Sequence, residues 1–236
     1  MKKAFLNWSS GKDAACALLK LQQENQLRVD KLLTTVDSQV DRVSMHGLRW
    51  ELLREQAIAV GIPLHVIPLK GELPLKEYNS IMEQEMAQLR AEGFTHSVFG
   101  DIFLQDLKEY RKQQLQKVGL EAVFPLWQKN TSELMQVFLK AGFKALTVSV
   151  NANVLDRSFC GRIIDEDFLA ELPAGVDPAG ENGEYHSFVF DGPYFREAVK
   201  FRKGEISGKS LKPSEEKGSK KWETEFWYCD LLPVLT

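Results

Sequence analysis

The chain has 236 residues, with 30 Lys and Arg against 33 Asp and Glu and a net charge of −3. With 44% hydrophobic and 27% charged residues it reads as a globular chain, neither disordered nor membrane-embedded. No apolar run approaches the ~20 residues needed to span a bilayer, and no excess of positive charge speaks for nucleic acid as a partner.

The N-terminus, Met1 to Leu6, has a positive start at Lys2 and Lys3, and the apolar stretch after it is cut short by Asn7, Trp8 and Lys12. It is too brief for a secretory signal, so a cytoplasmic location is expected. Cys16, Cys160 and Cys229 are odd in number and far apart, which argues against a disulfide framework or a paired-thiol zinc site. Ala4–Trp8 reads as a strand, followed by a turn and a helix over 14–23. Lys31–Val36 is the second strand, and a helix over 48–60 ends at the stop signal Gly61-Ile62-Pro63. Its apolar positions Leu48, Leu52, Leu53 and Ala57 share one face. Strands over 64–67, 97–99 and 122–124 alternate with helices over 76–91 and 107–118. This alternation implies βαβ crossovers, hence an α/β fold with a mostly parallel sheet and helices on both faces.

Beyond about Pro125 the pattern changes. Asn130-Thr131-Ser132-Glu133 reads as a helix cap, and a strand follows over 145–150. The stretch 172–192, rich in Gly, Pro, Asp, Glu and Asn, is expected to be irregular. An antiparallel pair, 199–202 with 223–230, is expected to flank a mobile, solvated loop over 204–221. The division expected is 1–127 for one domain and 128–236 for a smaller α+β domain.

The sharpest local feature is Trp8-Ser9-Ser10-Gly11-Lys12-Asp13-Ala14, between the first strand and the first helix. A helix N-terminus at the carboxyl end of a parallel strand presents N–H groups and a positive dipole to an anion. Ser9 and Ser10 add hydroxyls, Lys12 adds charge and Asp13 offers a carboxylate for magnesium. A second constellation, Gly180-Glu181-Asn182-Gly183-Glu184-Tyr185-His186-Ser187, gathers two carboxylates, an imidazole and two hydroxyls around two glycines. Such a cluster can bind an amine or ammonia, or take a proton from an attacking nitrogen. Its plain alternative is a glycine turn with a solvated acidic face.

The loop resembles the PP-loop of the ATP pyrophosphatases, S-G-G-x-D-S, with Ser10 in place of the second-position Gly and Ala14 in place of the final Ser. With the second constellation, which matches G-E-x-G-E-[FY]-x-[ST], it is similar to the diphthine–ammonia ligase family. Ser44-Met45-His46, Phe99-Gly100-Asp101, Tyr110-Arg111, Phe124-Pro125-Leu126-Trp127, Leu155-Asp156, Cys160-Gly161-Arg162 and Asp191-Gly192-Pro193-Tyr194-Phe195 extend the likeness over residues 4 to 195.

The resemblance implies a Rossmann-like N-terminal ATP domain, a smaller C-terminal domain forming the other wall of the cleft, and the activity of an ATP-dependent ligase. A substrate carboxylate attacks the α-phosphate, pyrophosphate leaves, and ammonia displaces AMP from the acyl-adenylate. Its cofactors would be ATP and Mg2+, and its partners a carboxylate, small molecule or modified protein side chain, and ammonia; a homodimer is a candidate assembly. Lys12, Asp13, Glu181 and Glu184 are then the catalytic candidates. Ser9, Ser10, Gly11, Val36, Asp37, Gly100, Asp101 and Arg111 join Lys12 and Asp13 around ATP, with Asp13 and Asp101 as metal ligands. His46, Trp127, Gly180, Gly183, Tyr185, His186 and Ser187 join the two glutamates around the acyl substrate. Trp127 is weighed against a core position, His65 and His96 are read as structural, and Cys16 as a buried small hydrophobe. The competing readings are a PP-loop tRNA-modifying enzyme and an ATP sensor that does not consume its nucleotide.

Overall fold

The computed structural model describes residues 1–43, 47–71, 73–211 and 224–234. The N-terminal half alternates strand and helix: β1 (Lys2–Asn7), α1 (Lys12–Glu24), β2 (Leu27–Asp37), β3 (Arg42–Val43), α2 (Trp50–Val60), β4 (Leu64–Leu69), α3 (Leu75–Ala91), β5 (His96–Val98), α4 (Gln105–Lys117) and β6 (Glu121–Val123). Five strands are parallel in the order β4-β2-β1-β5-β6, and the short β3 pairs antiparallel with the end of β2. The α/β, Rossmann-like architecture is as the sequence implies.

Side-chain alternation explains why both faces of this sheet are covered. On β1, Ala4 and Leu6 join one apolar cluster, with Leu18 of α1 and Leu52 and Leu53 of α2. Phe5 points the other way into a second cluster, with Leu89 of α3 and Leu115 of α4. The helix ends follow local chemistry. Gly61, at φ 76°, closes α2 by donating its N–H to the Ala57 carbonyl at 2.9 Å. Asn130 caps α5 (Thr131–Lys140) by accepting the Glu133 N–H at 3.0 Å.

After α5 come β7 (Lys144–Asn151), α6 (Glu166–Ala170), β8 (Tyr185–Asp191), β9 (Phe201–Leu211) and β10 (Thr224–Pro233). They form a four-stranded antiparallel sheet in the order β8-β7-β10-β9. Two expectations are corrected here. The stretch 172–192 is irregular only in its first part, because Tyr185–Asp191 pairs with β7 as β8. The loop expected from Gly204 begins later, because β9 continues to Leu211 against β10; residues 212–223 lie outside the described part.

The two sheets share one apolar cluster and several polar ties. The Tyr194 hydroxyl donates to the Ala15 carbonyl at 2.9 Å, and the Arg196 N–H to that of Ala59 at 2.8 Å. Asp230 of β10 accepts from Arg42 at 3.1 Å and from Arg49 at 2.8 Å. Among the described residues no helix is long and apolar enough to cross a membrane.

Candidate active site

In this strand order the chain reverses direction across the sheet between β1 and β5, and their carboxyl ends open the crevice where such folds take ligands. The loop Trp8–Asp13 leaves β1 there. Ser10 is in the left-handed region at φ 73°, a conformation that glycine adopts without penalty. Its hydroxyl is buried with no hydrogen-bond partner among the described residues. Gly11 then caps α1 in an extended conformation. On the β5 side, a Cβ on Gly100 would lie 2.9 Å from the Asp13 carbonyl carbon and 3.0 Å from the Ala14 nitrogen. A side chain there would push the phosphate loop off the sheet.

Lys12 is only 4% exposed, and its ammonium sits 2.9 Å from both Asp13 carboxylate oxygens and 5.4 Å from the Tyr185 ring centroid. Burial alone would lower its pKa, but Asp13, Tyr185 and Glu181 more than reverse this, so it stays charged. Asp101 follows Gly100 and is paired with Arg111 of α4 at 2.8 Å, while that guanidinium lies 4.2 Å from the Phe99 ring centroid. Burial pushes the Asp101 carboxyl up, Arg111 pulls it down and Asp13 pushes it up again. Burial likewise lowers Arg111, which is packed into the site and not splayed into solvent.

The second wall is the turn before β8. Its organiser is Asp177, whose carboxylate accepts from the Thr131 hydroxyl at 2.7 Å, the Ala179 N–H at 2.8 Å and the Glu181 N–H at 3.3 Å. The Glu184 carboxylate is buried and accepts the Asp177 N–H at 3.0 Å, the Asn182 N–H at 2.8 Å and the Asn182 side-chain amide at 2.9 Å. Gly180 sits at φ 69°, and a Cβ there would lie 2.9 Å from the Tyr185 carbonyl oxygen; Gly183, at φ 81°, faces open space. The Tyr185 hydroxyl donates to the Pro178 carbonyl at 2.5 Å.

This framework leaves Glu181 toward the phosphate loop. Burial pushes its carboxyl up to about 7, with Asp13, Asp177 and Asp101 adding repulsion and Lys12 opposing them. His186 is held below the ordinary imidazole range, first by burial and then by Lys12. Ser187 closes the wall by accepting the Lys12 backbone N–H at 3.1 Å.

The other candidates are more dispersed. Val36 is buried at the end of β2, and the Asp37 carboxylate accepts the Gln39 N–H at 2.9 Å and the Gly71 N–H at 3.2 Å. His46 and its neighbours Ser44 and Met45 lie outside the described residues. Ser9 is half-buried at the mouth of the loop. Trp127 is not in the core: it is half-buried, edge-on to Phe124, with the Lys108 ammonium 3.6 Å from its ring centroid. His96 is buried at the start of β5, and His65 pairs with Glu85 at 2.7 Å. Cys16 is buried, and burial pushes its thiol up to about 12.

Among the described residues no group of three or more His, Cys, Asp or Glu side chains could hold a metal ion unaided. Asp13 and Asp101, close enough to repel each other, suit a magnesium ion that takes its remaining oxygens from phosphates and water.

Two contributors escaped the sequence reading. Asp177 carries no motif, and Gln56 of α2 is fully buried beneath the loop; its amide donates to the Ser10 carbonyl at 3.0 Å. The only hint of Gln56 was a polar residue on the apolar face of α2, next to Leu52, Leu53 and Ala57.

A parallel sheet with a glycine–lysine–aspartate loop at its switch point, walled by a carboxylate-bearing turn from a second sheet, defines a nucleotide-binding fold of the PP-loop class. Sequence models of the diphthamide synthase N-terminal and C-terminal domains match residues 1–122 and 130–231. The chain belongs to the diphthamide synthase, or diphthine–ammonia ligase, family. It is 31% identical over 102 residues to diphthine–ammonia ligase of Bos taurus, a match covering 39% of this chain and 38% of that protein. With the enzyme of Rattus norvegicus it is 23% identical over 212 residues, covering 81% of this chain and 79% of the relative. A solved structure described as a "predicted subunit of tRNA methyltransferase" from Methanocaldococcus jannaschii covers 80% of this chain and 96% of its own, with a TM-score of 0.42 and 14% identity.

Proposed function

We propose that the protein is an ATP-dependent carboxylate–ammonia ligase, with residues 1–127 binding the nucleotide and 128–236 the acyl substrate. The observation that carries this reading is the meeting of Lys12, Asp13, Asp101 and Glu181 at the N-terminus of α1, contributed by both sheets. A nucleotide binder that only senses ATP has no need of a second-sheet carboxyl poised near neutrality.

In this reading the loop N–H groups, Ser9, Ser10 and Lys12 bind the phosphates, and Arg111 lends charge at the rim. The substrate carboxylate oxygen attacks the α-phosphorus, the bond to the β-phosphate oxygen breaks, and pyrophosphate leaves. Asp13 and Asp101 would hold a magnesium ion here, which would supply charge neutralisation at the phosphates. The nitrogen of ammonia then attacks the acyl carbon and AMP departs with its electron pair, leaving an amide. Glu181, ionised above about 7, accepts the proton that the attacking nitrogen must lose. Glu184 contributes by holding the Asp177–Asn182 turn, and so acts through Glu181.

The test is isotopic. Turnover with an 18O-labelled carboxylic acid moves one labelled oxygen into AMP if the carboxylate is adenylated. Unlabelled AMP would mean that water, not the acid, attacks the nucleotide.

A further inference from the structure

Gln56 has a bonding pattern that simple packing does not require. Its side-chain amide is fully buried on α2, yet three of its four hydrogen-bonding positions are filled, by groups from both halves of the chain. Its NH2 donates to the Ser10 carbonyl at 3.0 Å and to the Val189 carbonyl of β8 at 2.5 Å, and its oxygen accepts the Trp8 indole N–H at 2.6 Å. The Val189 N–H in turn donates to the same Ser10 carbonyl at 3.0 Å.

The consequence lies in the peptide unit between Ser10 and Gly11. In a trans peptide the carbonyl and the N–H point in opposite directions. Two donors that pull the Ser10 oxygen inward therefore turn the Gly11 N–H outward, away from Gln56 and β8. Ser10 itself stands at φ 73°, a backbone region that an L-residue adopts only when its surroundings impose it. Because the amide also fixes Val189, two residues beyond Ser187, it sets the register in which Ser187 accepts the Lys12 N–H at 3.1 Å.

We infer that Gln56 is a positioning residue for the phosphate loop: one amide aims the Gly11 N–H at the nucleotide and locks the second sheet against the loop. The inference rests on the loop being the nucleotide site. Only an amide does this at once, since a carboxylate would set its oxygens against two carbonyls, and a hydrocarbon would take a donor from each carbonyl and leave the indole N–H without its acceptor.

The test compares Gln56→Met, which keeps length and bulk, and Gln56→Glu with the control Leu53→Ala. Leu53 is also fully buried on α2 but belongs to the apolar cluster. Two measurements are made on the full chain: affinity for magnesium-ATP, and amide hydrogen exchange over residues 9–12 and 187–190. Loss of two aimed hydrogen bonds predicts affinity weaker by about tenfold in either Gln56 variant, with faster exchange in both segments. Leu53→Ala is expected to lower the melting temperature while leaving affinity and local exchange unchanged. Unaltered exchange at 9–12 in Gln56→Met, or equal weakening by Leu53→Ala, would overturn the inference. A wild-type chain that fails to bind ATP would instead contradict the nucleotide-site reading, and the exchange comparison would still decide the role of Gln56.

Discussion

Ser187 of the antiparallel sheet accepts the backbone N–H of Lys12 in the first turn of α1, at 3.1 Å and out of contact with solvent. The link joins residues 175 positions apart and makes the second sheet part of the phosphate loop's own bonding. Ser187→Ala leaves a buried N–H unpaired, so it is expected to cost about 1–3 kcal/mol of stability and to raise the KM for ATP more than it lowers kcat. Thermal melting and steady-state kinetics on the variant check both parts.

Glu181 gives the site a pH signature. Its carboxyl is pushed up to about 7 by burial, so as the proton acceptor it predicts activity that rises with pH through that value. Glu181→Gln should remove the rising limb. The folded state also holds this proton more tightly than the unfolded chain does. Its contribution to stability is therefore present at acid pH and lost as pH rises through about 7. Glu181→Gln should raise the melting temperature at pH 8 and leave it unchanged at pH 4, and a variant less stable at pH 8 would contradict the assignment.

Ser10 separates stability from binding. The left-handed backbone and the buried hydroxyl, which has no hydrogen-bond partner among the described residues, both burden the folded state. Ser10→Gly should stabilise the chain by about 1–2 kcal/mol by relieving the left-handed strain, which calorimetry would register as a higher melting temperature. Because that hydroxyl is a candidate phosphate ligand, ATP affinity should fall in the same variant.

Two glycines of one turn should respond differently. Gly180→Ala brings a methyl to 2.9 Å from the Tyr185 carbonyl at a positive φ, so it is expected to cost well over 1 kcal/mol and to displace Glu181. Gly183→Ala meets nothing within 4 Å and carries only its left-handed φ, a cost of about 1 kcal/mol. Melting curves would rank them, and pyrophosphate release should be lost in the first variant only.

Local pattern carried the sequence reading where local physics decides the structure. The alternation of β1, the Gly61 stop and the Asn130 cap are set by neighbours a few residues away, and each was legible. The strand Tyr185–Asp191 was hidden in a segment whose glycines and acids signal a turn, because its strand character comes from pairing with β7. The division of labour between Glu181 and Glu184 was equally invisible. Three residues apart and identical in type, they differ because Asp177 and Asn182 donate to one of them and the phosphate loop faces the other. Trp127 was placed at the substrate with a core position as the alternative; its ring is half-buried with Lys108 over its face, which excludes the core alternative and leaves the substrate role to experiment.

The most direct measurement is the nucleotide left after incubating the protein with ATP, magnesium, ammonium and a panel of carboxylic acids. AMP and pyrophosphate in equal amounts, dependent on one acid and lost in Lys12→Met, is the result predicted here. ADP and inorganic phosphate would contradict cleavage between the α- and β-phosphates and, with it, the ligase reading.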